Sequence, residues 1–462
     1  MGQQLSVLAT GSARRDARRA PGKRYPTPFH FFLAARRDPL AMLRWGLAEF
    51  GDIARIESWP LMVHLLYHPE HIKHVLQDNN RNYWKGNLIG RVKPLIGEGL
   101  FTSEGDFWRR QRRLAQPAFH RQRIESFASI MCRAGERMLD GWEETAATTR
   151  PFDLMEEMSR VTLSIVGMAL FGIDLIGAAA GVGHAMLTAL QFMSEEAFSL
   201  FPSVLLIPAP RNLRFLRARR QLDRVVLGII EGRRRDAAGA NDLLSMMMEA
   251  RDADSGEGMS NRQLRDEVMT FILAGHETTA VTLAWACLLL DQHPDAARRL
   301  RAEITSVLAG RQPTLADLPH LQLTRRVVDE TLRLYPPVPV ISREAFAADE
   351  IGGYVIPAKT GVMLTPYVTH RHPALWEDPE RFDPDRFTPE RSAVRPRFAY
   401  FPFGGGPRLC IGNEFALMEA QILLAMIVQR YYVESVPEHA VTHEIRVTLR
   451  PRQPMQMRLR PV

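Results

Sequence analysis

Along most of the chain apolar residues return at every third and fourth position, the spacing of helices with one face turned inward. Alternating or β-branched runs are few, at 52–66, 352–364 and 440–459. The pattern therefore predicts a mainly α protein with small β-sheets near both ends. The longest apolar stretch runs from Ser260 to Gln292, opens on a capping box formed by Ser260 and Gln263, and stops before Pro294. About 32 residues at 1.5 Å each would span roughly 48 Å. From Val268 to Leu290 the stretch is apolar on every side, which predicts burial all round. A membrane span is the competing reading. The polar island His276-Glu277-Thr278-Thr279 makes a span costly, so a central core helix is expected. An ionisable group buried there is either well paired or used; the plain alternative is a satisfied polar kink. Gly275, just before the island, leaves room for a bulky neighbour. His276-Glu277 begins like a zinc-binding H-E-x-x-H, but position 280 is Ala, which removes the second ligand.

The 462 residues are 46% hydrophobic and 24% charged, an ordinary globular balance. The breaks at 232–241 and 251–257 are short enough for surface connectors, and no repeat or linker divides the chain. One domain over 29–462 is expected, behind a basic, disordered tail at 1–28. That tail holds no apolar run of signal or anchor length; Met1-Gly2-Gln3-Gln4-Leu5-Ser6 fits the loose N-myristoylation pattern by chance. Only five of the 59 basic residues are Lys, a skew that fits a GC-rich bacterial genome. Cys132 and Cys287 lie in apolar helical stretches and read as buried free thiols, so a reducing cytoplasm is expected. The net charge of +7 comes without an aromatic-interleaved basic stripe, which argues against nucleic acid and suits an acidic protein partner.

The third cysteine is different. In Phe403-Gly404-Gly405-Gly406-Pro407-Arg408-Leu409-Cys410-Ile411-Gly412, four glycines within nine residues mean a sharply bent backbone close to something flat or bulky. Cys410 precedes an expected amphipathic helix, 413–430, with Phe415, Met418, Ile422 and Met426 on one face. A helix N-terminus and the nearby Arg408 would favour the thiolate. With no second Cys or His at metal spacing, an iron–sulfur cluster or zinc site is not expected, and a single thiolate suits one axial ligand of a haem.

These residues resemble the cytochrome P-450 superfamily, and the likeness covers almost the whole chain. F-x-x-G-x-R-x-C-x-G is met by Phe403, Gly406, Arg408, Cys410 and Gly412; [A/G]-G-x-[D/E]-T is met by Ala274-Gly275-His276-Glu277-Thr278. E-x-x-R is Glu330-Thr331-Leu332-Arg333, followed by Tyr335-Pro336-Pro337, and W-x-x-x-R is Trp108 and Arg112. The meander motif occurs twice, at Pro379–Phe382 and Pro384–Phe387; spacing from Trp376 favours Arg386 over Arg381 as third member of the Glu-Arg-Arg triad.

The resemblance implies a triangular-prism fold with haem b between a long distal helix and the Cys loop with its proximal helix. It implies a monooxygenase that inserts one atom of O2 into an apolar organic substrate: fatty acid, terpenoid, steroid or polyketide. Cys410 would be the axial ligand of the haem iron, with Phe403 shielding the sulfur and Gly406 and Gly412 letting the backbone approach the porphyrin. Trp108, Arg112, Arg343 and Arg408, with Lys85 as an addition, would hold the propionates. Ala274 and Gly275 would lie against the haem, and Glu277 and Thr278 would relay protons to oxygen. Glu330, Arg333 and Arg386 would form a structural ion-pair network.

By position in the family, Phe101, Phe271, Val338 and Val340 would line the pocket. Arg91 or Lys93 could meet a fatty-acid carboxylate, although a solvated face is the plainer reading, and 201–210 could be an access lid or only a connector. Electrons would come from NAD(P)H through a separate reductase and a ferredoxin or flavodoxin. Arg109, Arg110 and Arg113 would help dock that acidic carrier to a monomeric, unanchored protein. The rivals are a haem-thiolate peroxygenase or isomerase, and a non-enzymatic haem sensor.

Overall fold

The computed structural model describes residues 18–119, 121–175, 182–197, 199, 204–205, 207–235, 242–252, 256–437 and 439–462. Its centre is the helix Asn261–Gln292, whose N-cap Ser260 accepts from the Gln263 backbone N–H while the Gln263 side chain reaches back to the Ser260 N–H. Between Asp266 and Leu290 every residue is buried except Leu273, Ala274, Gly275 and Thr278. By length and composition this helix passes for a membrane span, but it is mostly buried among other helices of the same chain.

Helix Leu154–Phe171 packs most closely against it. A Cβ on Gly275 would stand 2.9 Å from Val166 Cγ2, and the Thr162 hydroxyl donates to the His276 carbonyl at 3.0 Å. The room left by Gly275 is thus filled by a neighbouring helix, not kept for a ligand. Helix Asn413–Arg430, expected to be amphipathic, is buried over nearly its whole surface from Leu417 to Val428. It is enclosed by Arg121–Thr148, the central helix, Pro294–Leu308 and Gln322–Leu334. With the strand Tyr431–Ser435, five elements meet around it, so no face is left for water between Leu417 and Val428.

A six-stranded mixed sheet lies to one side, in the order Gly22–Arg24, Ile53–Ser58, Leu61–Leu66, Gly361–Leu364, Ile341–Ala345, Tyr83–Trp84. Gly22–Arg24 pairs in parallel with Ile53–Ser58, so the stretch read as a disordered tail to residue 28 is ordered from residue 18 on. Backbone hydrogen bonding to a partner strand, invisible in a basic tripeptide, is the reason. Tyr431–Ser435, Gln456–Pro461 and Phe152–Asp153 form a second sheet. A hairpin of His443–Ile445 and Leu449–Pro451 lies beside the central helix: the Trp285 indole N–H donates to the Leu449 carbonyl at 3.0 Å.

Candidate active site

Among the described residues, two stretches of accessible surface inside the core stand out. One is the middle of the central helix, where Ala274 is exposed and Thr278 partly so. The other is Cys410, which protein surrounds on all sides yet which keeps open surface. Phe119 bridges them. Its ring lies 5.4 Å from that of Phe271, one turn before Ala274, and it is the nearest group, at 3.9 Å, to a Cβ placed on Gly412. The two open surfaces therefore border one internal space.

The Cys410 loop is tied by its own backbone. The Cys410 N–H donates to Phe403 O at 3.0 Å and the Leu409 N–H to Gly406 O at 3.1 Å. Gly404 (φ 73°) and Gly406 (φ 64°) take left-handed conformations that other residues adopt at a cost. Gly406 has a second reason: a Cβ there would fall 1.8 Å from the Leu76 carbonyl oxygen. It is crowded by the one-turn π-helix His74–Asp78, a reason for glycine that the local sequence does not announce. Gly412 does face open room. Burial raises the Cys410 thiol above its ordinary value, opposed by the Gly412 N–H and the Arg112 charge. Without a metal, burial prevails over the helix terminus expected to favour thiolate; a bound metal cation reverses that balance. Arg112 acts on the sulfur here, while Arg408 is committed to Glu104.

Three cations converge beside this space. Lys85 is buried, with its ammonium donating to Leu100 O at 2.7 Å and Ser103 O at 3.3 Å. Burial, followed by the Arg408 charge, lowers it to about 6. Arg343, like Cys410, is enclosed by protein yet keeps accessible surface, and the same two causes lower it to about 10. Among the described residues its one hydrogen-bond partner is the Ser342 carbonyl, at 2.8 Å. Arg408 bonds Glu104 and Ser103 O and lies 4.0 Å over the Trp108 ring. Buried guanidinium without a matching carboxylate is costly. A flat ligand with an apolar body, two carboxylates at one edge and a metal at its centre fits these residues, as haem does. Glu104 was not singled out from sequence; an acid at the N-cap of the Arg-rich helix Gly105–Ala115 was the available signal.

On the opposite wall the Thr278 hydroxyl donates to Ala274 O at 2.8 Å. Glu277 is buried and accepts from the Thr448 hydroxyl at 2.9 Å, with Arg450 Nη1 at 3.7 Å from the same oxygen. Both partners come from the 443–451 hairpin, some 170 residues away, and no local pattern announces them. His276 is fully buried, its Nδ1 bonded to Ile272 O at 2.8 Å, and burial lowers it. Behind it, Glu419 is fully buried facing Thr279, and burial holds its carboxyl well above the usual range. Folding therefore favours its protonated form. That contribution to stability is complete below the ordinary Glu value of about 4.5 and is lost as pH rises through the folded value. Glu419→Gln should remove this slope, leaving the variant about 1–3 kcal/mol more stable than the parent at alkaline pH. Urea unfolding of both at several pH values checks this; parallel pH profiles would refute it.

Behind the Cys loop, Glu330 and Arg333 are completely buried and bidentate, at 2.6 and 2.7 Å. Arg386 Nε stands 3.4 Å from Glu330, whereas Arg381 contributes its carbonyl to Arg333.

The family description "Cytochrome P450" matches residues 20–458. The chain is a cytochrome P450. It is 37% identical over 421 residues, 90% of each chain, to cyclooctatin synthase of Streptomyces melanosporofaciens. It is 34% identical to the pentalenene oxygenase of Streptomyces avermitilis, over 96% of both chains. The crystal structure of the cytochrome P450DA haem domain superposes with a TM-score of 0.86 at 25% identity, covering 96% of this chain and 98% of that one. This P450 is a monooxygenase that binds haem b, consumes O2, takes NAD(P)H-derived electrons through redox partners and acts on a hydrophobic substrate.

The remaining residues read as functional have varied surroundings in this P450. Phe271 is buried in the core against Phe119, and Val340 packs in a separate small cluster by the six-stranded sheet, while Phe101 and Val338 are exposed. Arg91 is occupied by the carbonyls of Glu196 and Ser199 at 2.7 and 2.5 Å, and Lys93 pairs with Glu98 at 3.1 Å, which leaves neither for a substrate carboxylate. Arg110 and Arg113 pair with Glu257 at 3.0 Å and Asp252 at 2.6 Å, and Arg109 bonds Asp106; Arg109 and Arg113 stay exposed while Arg110 is half-buried. Most of the lid expected at 201–210 lies outside the described residues.

Proposed function

We propose that this P450 hydroxylates or epoxidises a polycyclic terpenoid, with Cys410 as axial ligand of the haem iron and Arg343, Arg408, Arg112, Lys85 and Trp108 around its propionates. The observation that carries the reading is the pairing of a tethered, open-surfaced cysteine with a buried cation cluster short of carboxylates. The names of the cyclooctatin and pentalenene relatives support the substrate class, and so does the engagement of Arg91 by backbone carbonyls and of Lys93 by Glu98. The bound haem supplies reductive activation of O2, one oxygen atom entering the substrate and the other leaving as water.

The protein's part is to hold and move protons. Thr278 places a hydroxyl on the open surface. Its neighbour Glu277 is kept in place by Thr448 and, more distantly, by Arg450, whose side chain reaches partial exposure and so links the carboxyl to solvent. Thr278→Ala should retain haem and lower product formed per NAD(P)H about tenfold or more, the remainder appearing as peroxide. Thr448→Val should do the same more mildly and change the solvent isotope effect on turnover, which a purely structural loss would leave alone. Unchanged coupling in Thr278→Ala would remove both residues from the relay. The substrate class is tested by titrating ferric enzyme with terpenoid hydrocarbons and with fatty acids; a spin-state change with fatty acids alone would overturn it.

The electron carrier is an acidic ferredoxin or flavodoxin docking on the Cys410 side of a monomer in the cytoplasm, where the buried free thiols Cys132 and Cys287 stay reduced. Reduction should slow steeply with added salt, since the attraction is screened within about 10 Å at 0.1 M. A salt-insensitive rate would count against this docking.

A further inference from the structure

With Cys410 as the axial ligand of the haem iron, the reading on which this rests, we propose that Asp349 is a positioning residue for that ligand. It acts through the one-turn π-helix His74–Asp78, which it holds against the Cys loop. Asp349 opens the strand Asp349–Ile351 of a hairpin whose second strand is Tyr354–Ile356. One of its carboxylate oxygens, Oδ2, collects donors from around the π-turn. His74 Nε2 donates at 2.7 Å, Asn79 Nδ2 at 3.0 Å and the Tyr83 hydroxyl at 2.7 Å. The other oxygen accepts from the Glu350 N–H at 2.9 Å. Burial alone would raise this carboxyl; the bonds from Tyr83, His74, the Glu350 N–H and Asn79 outweigh it and hold the group below the usual carboxylate range. The acceptor is therefore ionised, and bonds to an ionised acceptor are the strong ones.

His74 is the first residue of the π-turn and Asn79 directly follows its last. The bond that closes the turn runs between the same two residues, from the Asn79 N–H to His74 O at 2.8 Å. Asp349 thus pins both ends of a wider winding that is rare, comes mostly as single turns and often marks functional sites.

The turn lies directly on the Cys loop. A Cβ on Gly406 would fall 1.8 Å from Leu76 O and 3.2 Å from Gln77 Cα, so backbone meets backbone with no side chain between them to yield. Val75 and Leu76 are buried in one cluster with Phe398 and Phe401, which lead into the loop. Gly406 O in turn receives the Leu409 N–H at 3.1 Å, one residue before Cys410. Close-packed interiors transmit a displacement rather than absorb it. A shift of the π-turn therefore passes through Gly406 and Leu409 to the sulfur. Groups outside the ligand itself that fix its orientation tune how firmly the metal is held.

The test compares full-length, haem-loaded Asp349→Asn and the milder Asn79→Ala with the parent and with a control, Asp317→Asn, whose carboxylate bonds Arg311 and Thr314 instead. The reduced carbon-monoxide complex of Asp349→Asn should form with the parent's haem content and then lose its long-wavelength maximum about tenfold or more faster. Backbone hydrogen exchange over residues 403–412 should quicken in Asp349→Asn, less so in Asn79→Ala, and stay at the parent's rate in Asp317→Asn. Exchange there that quickens equally in the control would show a general loosening and overturn the proposal. Quickening confined to residues 349–356 would overturn it too, as would an unchanged decay of the long-wavelength maximum. A parent chain without that maximum would instead overturn the assignment of Cys410, and this role of Asp349 with it.

Discussion

Cys410→Ser should leave a folded protein that no longer forms the long-wavelength maximum of a thiolate-ligated, reduced carbon-monoxide complex. Product formation should fall by at least about a thousandfold. The fold should survive because the loop is fixed by its backbone: the bonds from the residue 410 N–H to Phe403 O and from Leu409 to Gly406, with the left-handed Gly404 and Gly406, do not involve the sulfur. What the substitution removes is the soft, anionic donor that pushes electron density toward oxygen. The parent chain holds its sulfur at the edge of an internal space, with the Gly412 N–H and Arg112 turned toward it. A serine variant that keeps the long-wavelength maximum would place the haem ligand elsewhere and take the proposed site with it.

The second large effect concerns Arg333. All five of its donors are used: Nε and Nη2 on the two Glu330 oxygens, Nη1 on the carbonyls of His370 and Pro379 at 2.9 and 2.6 Å, and Nη2 again on Arg381 O at 3.0 Å. Lysine has three donors at a single point and cannot span that set. Arg333→Lys should therefore fail almost as fully as Arg333→Ala, each costing about 3–5 kcal/mol because a completely buried Glu330 loses its partner. Against a total stability of about 5–15 kcal/mol, such a loss yields mostly insoluble, haem-poor protein. Arg386→Ala should cost less, since its guanidinium meets Glu330 at 3.4 Å from a less enclosed position. Haem per chain and thermal unfolding of the three variants decide the order. A soluble, haem-replete Arg333→Lys would show that the geometry of the fork is dispensable.

Much of this was legible along the chain because the relevant physics is local. The capping box at Ser260, the all-round apolar run behind it and the glycines around Cys410 each depend on neighbours within a few positions. The triad was legible in part: three residues in motif order, with Arg386 and Arg381 both in view. Their three-dimensional arrangement, with Arg386 offering its side chain and Arg381 its carbonyl, depends on how the meander folds back over Gln322–Leu334.

Errors came where a residue type was assigned a partner from chemistry alone. The bulky neighbours for which Gly275 and Gly406 leave room are other elements of the protein, Val166 and Leu76 O, which no local pattern names. Helix Asn413–Arg430 was read as amphipathic from four residues on one face. Burial by neighbours on every side is a property of packing that a single periodic pattern cannot contain. Arg91 was weighed for a substrate carboxylate, and Arg110 and Arg113 for docking an acidic carrier; carbonyls or acids distant in sequence occupy them.

By itself, the order of residues determined that this protein is helical and has one central core helix, and it marked Cys410 as the candidate ligand, since backbone conformation and apolar periodicity are set by near neighbours. Only the tertiary structure decided which charges stand together: Glu104 under Arg408, Arg343 left without an acid, and Thr448 and Arg450 brought to Glu277. Electrostatic and hydrogen-bond partners are chosen by distance in space, and the chain brings them together from positions up to some 300 residues apart.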